Sequence, residues 1–160
     1  MNNIAENNCI GVRQTTMAMN MYGIDMFGNA TETSLAHECV YRHGKTRTSS
    51  VIVYIWHTKC PHCPAKLAQL NNLCKIKKFT VIGVVLETPG NFANSFQAMD
   101  LTMELIDELD VKNINHFFMT TEQKEVAKTE LNFKTVPQIF KFNSDELTYT
   151  PVTMDYIMNM

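Results

Sequence analysis

The 160-residue sequence predicts an α/β domain, a central mixed β-sheet flanked by helices, with an N-terminal extension ahead of it. Three observations carry that expectation. Val51–Trp56 and residues 79–86 are unbroken apolar runs, the pattern of strands buried on both faces. Between them apolar residues recur at helical spacing. Strand, helix and strand therefore follow one another in under forty residues, and such a βαβ unit implies a right-handed crossover and parallel pairing. Near the C-terminus, strands over 138–142 and 147–150 flank the polar turn Asn143-Ser144-Asp145-Glu146, which adds an antiparallel hairpin.

The first fifty residues are polar and rich in Asn, Thr and Met. Turn signals at Tyr22-Gly23 and Phe27-Gly28-Asn29 predict a short hairpin of 24–27 with 31–35, because Asn and Gly tolerate the positive φ that tight hairpins need. His43-Gly44-Lys45 reads as a loop leading into the first central strand. The chain thus divides into an extension, residues 1–48, and a main domain, residues 49–160. From Cys63 to about Lys77, Leu67, Leu70, Leu73 and Cys74 form one apolar stripe of a helix. Pro64 fits there, since a proline in the first turn removes a donor that has no partner. The second strand ends at Glu87-Thr88-Pro89-Gly90. Residues 91–109 then place Phe92, Phe96, Met99, Met103 and Ile106 on one helical stripe with acidic residues between them. A strand over 114–119 follows, and Thr120-x-x-Gln123 matches a capping box opening a helix through Val126 to Leu131. Residues 153–160 close the chain as a short helix. No repeat and no second domain is visible.

Composition narrows the function classes. With 45% apolar residues and a formal charge of −2, the chain fits one globular core and shows no electrostatic footprint for nucleic acid or an anionic membrane. The densest basic cluster, residues 75–78, reads as a solvated helix end. No segment approaches the ~20 apolar residues that cross a bilayer. The first thirty residues lack a basic start followed by an apolar block, so the expected setting is cytoplasmic, with no membrane partner. Five cysteines, Cys9, Cys39, Cys60, Cys63 and Cys74, are too few for a disulfide scaffold and odd in number.

Cys60-Pro61-His62-Cys63 carries the chemistry. Two thiols separated by two residues, at a strand-to-helix turn, can close a small disulfide. The helix N-terminus, Lys59 before the pair and His62 within it all favour a thiolate at Cys60, which makes Cys60 the attacking sulfur and Cys63 the resolving one. Such a pair needs no organic cofactor, because the Cys60-Cys63 pair itself carries the electrons, taking up two as a disulfide and giving them back as a dithiol. Its partners would be a protein dithiol or disulfide substrate and a redox recycling partner. Stabilising the thiolate also makes the reduced form more favourable, which leans toward oxidation of substrates.

A structural zinc site is the bland reading of the same cysteines, with His57 and His62 nearby, but a second half-site is missing. Met17, Met19 and Met21 at period two, with Met26, His37, Cys39 and His43 beyond, could hold a soft metal, although methionine is an ordinary gap filler. A binding or metal-delivery module using these thiols for copper or zinc is therefore the alternative function. Cys74 reads as a core residue, and His116 as a core or edge histidine.

The order of strand, Cys-x-x-Cys helix, strand, Val-Pro-preceded strand, hairpin and closing helix resembles the thioredoxin-like superfamily over residues 51–160. Trp56 lies four residues before Cys60, as in thioredoxins, and Thr135-Val136-Pro137 falls where that superfamily has a cis-proline loop. The resemblance implies that Val136 and Pro137 face the disulfide and pair with an extended substrate segment, with Trp56 as a contact surface beside them. The segments 91–109 and 114–119 are similar to the insertion of the cytochrome-maturation and peroxiredoxin-related branch, whose opening hairpin residues 24–29 also resemble. Cys60-Pro61-His62-Cys63 matches instead the tetrapeptide of periplasmic disulfide-forming oxidases. Tyr54 stands where thioredoxins have a buried acid, which removes the usual proton acceptor for the second thiol. His57 and Asn143-Ser144 replace the lysine and the glycine pair of glutaredoxins, so a glutathione site of that kind is not implied.

Overall fold

In a computed structural model of the chain, which describes residues 13–14, 19–24, 29–46, 50–86 and 95–160, the two apolar runs lie side by side at the centre of one sheet. Strand β4 (Val51–Trp56) pairs in parallel with β5 (Thr80–Leu86), from Val51 opposite Thr80 to Trp56 opposite Val85. β5 pairs in parallel with β6 (Asn115–Met119). On the other side of β4 the C-terminal hairpin runs antiparallel, β7 (Gln138–Asn143) against β4 and β8 (Thr148–Pro151) against β7.

The N-terminal strands extend both edges of this core. β1 (Arg13–Gln14) pairs with β8, while β2 (Asn20–Ile24) lies between β6 and β3 (Ala30–Ser34). Among the described residues the sheet has eight strands in the order β1-β8-β7-β4-β5-β6-β2-β3.

Both faces of the sheet are covered, as the unbroken apolar runs require. All six residues of β4 are buried. Ile52, Tyr54 and Trp56 point to one side, where they meet buried residues of α2 (Cys63–Lys77), α3 (Ser95–Leu109) and α5 (Met154–Met158). Val51, Val53 and Ile55 point to the other, toward α1 (Leu35–Thr46) and α4 (Thr121–Leu131). Burying each such aliphatic side chain contributes about 1.5–3 kcal/mol, so β4 is firmly held and its C-terminal end is a fixed place from which to hang a site. The capping box at α4 forms as expected, with the Thr120 hydroxyl accepting from the Gln123 backbone N–H at 3.3 Å and the Thr120 N–H donating to Gln123 Oε1 at 3.0 Å.

Two expectations are corrected in the N-terminal region. The hairpin exists, but its first strand is Asn20–Ile24 rather than 24–27, and residues 25–28 lie outside the described set. Met21 fixes that register, because its side chain is fully buried and must face the core. His43-Gly44-Lys45 is the last turn of α1 and not a loop. Leu35 and Cys39, four residues apart and fully buried, anchor that helix, and Glu38 pairs with Arg42 at 3.2 Å along its flank. The helix expected over 91–109 is described from Ser95. Among the described residues no helix is long and apolar enough to cross a membrane.

Candidate active site

The chain leaves β4 after Trp56 and turns tightly before α2 begins. His57 organises that turn: its carbonyl accepts from the Cys60 N–H at 3.2 Å, and its Nδ1 accepts from the Lys59 N–H at 3.1 Å. Partial burial and the charge of Lys124 lower the His57 pKa, in keeping with a ring nitrogen that acts as an acceptor. The Cys60 carbonyl takes the Cys63 N–H at 3.3 Å, so a second turn leads directly into the helix. His62 occupies the N-cap position without making a side-chain cap bond, and Pro64 follows in the first turn.

This geometry makes the two thiols unequal. Both are free, but Cys60 retains 7% of its surface while Cys63 retains none. Burial pushes the Cys63 thiol up to about 12, and the hydrogen bond it shares with the Cys60 sulfur acts in the same direction. Cys63 therefore holds its proton and can donate it toward Cys60. The Tyr54 hydroxyl donates to the Cys63 carbonyl at 2.8 Å from beneath. Burial raises the pKa of Tyr54 as well, so it remains a donor, and no Asp or Glu among the described residues is buried.

Cys60 forms part of the floor of an open groove of about 480 Å³. Its lining comes from the segment 57–62, from Leu86 at the end of β5, from Lys124 and Lys128 of α4, and from 133–136. The Cys60 Sγ lies 3.8 Å from the Val136 carbonyl oxygen, and the Val136-Pro137 peptide bond is cis. The structure thus brings Lys59, Cys60, His62 and Val136 to one groove, with half-buried Pro137 next in the chain. Trp56 is a correction: it is fully buried and does not line the groove. As the last residue of a strand covered on both faces, it packs in the same cluster as the two cysteines instead of presenting a surface to solvent.

Tyr54 as a hydrogen-bonded support, and Lys124, Lys128 and Lys134 around the groove, were not singled out as site residues from the sequence. The lysines arrive from segments more than sixty residues away from Cys60, and no local motif marks them.

Met19, Met21 and Cys39 pack in the second core cluster, and Met17, Met26 and Cys9 lie outside the described residues. Among the described residues no three His, Cys, Asp or Glu side chains converge as a metal site. Cys74 is buried, with its thiol donating to the Asn71 carbonyl at 3.3 Å. His116 donates from Nε2 to the Val111 carbonyl at 2.9 Å, while its buried Nδ1 has no hydrogen-bond partner.

A central β4 flanked by parallel β5 and an antiparallel C-terminal hairpin, with a Cys-x-x-Cys turn at its end, defines the thioredoxin-like fold. Solved structures agree. The thioredoxin domain of a thiol-disulfide oxidoreductase from Bacteroides vulgatus matches with a TM-score of 0.60 at 16% identity, covering 91% of this chain and 93% of that one. A thiol:disulfide interchange protein from Bacteroides sp. matches at 0.58 and 17% identity, covering 91% and 86%. A secreted disulfide oxidoreductase from Mycobacterium tuberculosis matches at 0.53 and 13% identity, covering 89% and 98%. No protein-family model and no curated protein matches the chain.

Proposed function

We propose that the chain is a thiol-disulfide oxidoreductase that exchanges electrons with protein dithiols or disulfides through Cys60 and Cys63, without an organic cofactor. The observation that carries this reading is the inequality of the two sulfurs: one opens on a groove beside the Val136 backbone carbonyl, and the other lies fully buried with its proton held. In the reducing direction the Cys60 thiolate attacks one sulfur of a substrate disulfide. That S–S bond breaks, and the departing substrate sulfur takes up a proton. Cys63 then gives up its proton and attacks Cys60 Sγ, the internal disulfide closes, and the second substrate thiol leaves. Two electrons have passed to the substrate. Oxidation of a substrate dithiol is the same sequence reversed, and a second dithiol or disulfide protein recycles the pair.

In this mechanism Lys59, His62 and the start of α2 stabilise the reduced dithiol relative to the disulfide, which leans the pair toward oxidising its substrates. The backbone at Val136 would receive an extended substrate segment, as exposed strand-like backbone does. Direction follows the surroundings: a reducing cytoplasm would keep the pair as a dithiol and drive reduction, whereas an oxidising compartment would drive the reverse. Cys63→Ser should trap a mixed disulfide between Cys60 and substrate, and Cys60→Ser should abolish exchange. Undiminished exchange by Cys60→Ser would remove the mechanism.

A further inference from the structure

Among the described residues the lining of the groove at Cys60 is basic, while the chain as a whole is slightly acidic. The sequence has 14 Lys and Arg against 16 Asp and Glu, yet the described lining of the groove holds four lysines, Lys59, Lys124, Lys128 and Lys134, and no carboxylate. They come from three separate segments: the turn before Cys60, α4, and the stretch leading to Val136. Lys128 also reaches the exposed Glu125 at 3.8 Å, a solvated pair that only partly offsets its charge. Lys124 adds to burial in disfavouring the charged form of His57.

We infer that this groove selects an extended, acidic polypeptide segment that carries the reacting cysteine; the inference rests on the redox reading above and adds the substrate class. Clustered charge of one sign beside a reacting atom raises the local concentration of oppositely charged ligands and speeds their encounter. A polypeptide fits better than a small anionic thiol for two reasons. Pockets for small molecules enclose most of the ligand surface, whereas Lys59 and Lys134 stand exposed in the lining of an open groove. The carbonyl of Val136 beside Cys60 also offers main-chain pairing to an extended strand.

The test compares two disulfide-bridged peptides, identical except for Asp or Lys residues flanking the cysteines, each mixed with the reduced full-length chain. The acidic peptide should react about tenfold faster at low ionic strength. That ratio should fall toward one as salt shortens the screening length to a few ångströms, about 3 Å near 1 M. Lys134→Gln, an exposed neutral change, should lower the ratio by about twofold, and Lys128→Glu with Lys134→Glu should invert it. Using a ratio cancels any general loss of activity in a variant. Equal rates, or a faster basic peptide, would overturn charge selection. Uncharged hydroxyethyl disulfide separates the two readings: if it reacts while the peptides are not distinguished, the oxidoreductase reading stands and the groove proposal falls, and if no disulfide reacts, both fall. Acceleration of glutathione disulfide without any preference for the acidic peptide would reassign the groove to a small anion and overturn the polypeptide assignment.

Discussion

Raising the pH should expose the proton that Cys63 holds. In the reduced protein, burial and the hydrogen bond to Cys60 push this thiol from its ordinary 9.0 up to about 12. Reduction of the disulfide therefore takes up at least one proton for every two electrons until the solution approaches that value. One proton per two electrons makes the potential fall by about 30 mV per pH unit, because a tenfold change in a two-electron equilibrium is about 30 mV. Because Cys63 keeps its proton, the Cys60-Cys63 potential should still be falling by about this much per pH unit at pH 10.5. The assay is equilibration against a dithiothreitol couple of known pH dependence, followed by acid quenching and thiol trapping at each pH. A Cys63 with an ordinary pKa would lose the slope above about pH 9.5, and a potential that becomes flat there would refute the reasoning. The same shift predicts a stability effect of definite sign. The folded dithiol keeps a proton that the unfolded chain releases above 9.0, so the reduced form loses stability as pH rises from about 9 toward about 12. The disulfide form has no such proton. Cys39 and Cys74, also raised by burial, are thiols in both redox forms and cancel in the comparison.

Two further outcomes follow from buried hydrogen bonds. Tyr54→Phe removes the 2.8 Å donor to the Cys63 carbonyl and should destabilise the protein by about 1–3 kcal/mol in urea denaturation, with no measurable loss counting against the support role. Burial lowers the His116 pKa, so the unfolded chain takes up a proton below the ordinary 6.5 that the folded chain refuses. Stability should fall as the pH drops through that value toward the folded pKa, with His57 adding in the same sense, and His116→Gln should shallow the decline. An identical slope in the variant would show that His116 titrates alike in both states.

The central fold was legible because its strands are buried on both faces and therefore read as continuous apolar runs. Val51–Trp56 emerged with both bounds as expected, and the Thr120-Gln123 capping box marked the start of α4. The N-terminal helix α1 was not legible: among its described side chains only Leu35 and Cys39 are fully buried, and Gly44 near its end looks like a loop signal. Within the site, the Cys-x-x-Cys pair announces itself locally. The burial of Trp56 did not, because a tryptophan next to a Cys-x-x-Cys turn reads the same whether it faces solvent or the core. The lysines of the groove were invisible for a different reason, since only the packing of α4 and the segment ahead of Val136 gathers them around Cys60.

The most direct test of the account is to equilibrate the reduced chain against a series of glutathione redox buffers, quench, alkylate and map the thiols by peptide mass. The account predicts one two-electron transition confined to the peptide bearing Cys60 and Cys63, while Cys39 and Cys74, both buried, react only after unfolding. A midpoint near about −120 mV would mark an oxidant of substrates and one near about −270 mV a reductant. A chain that forms no internal disulfide at any buffer ratio would contradict the proposed chemistry.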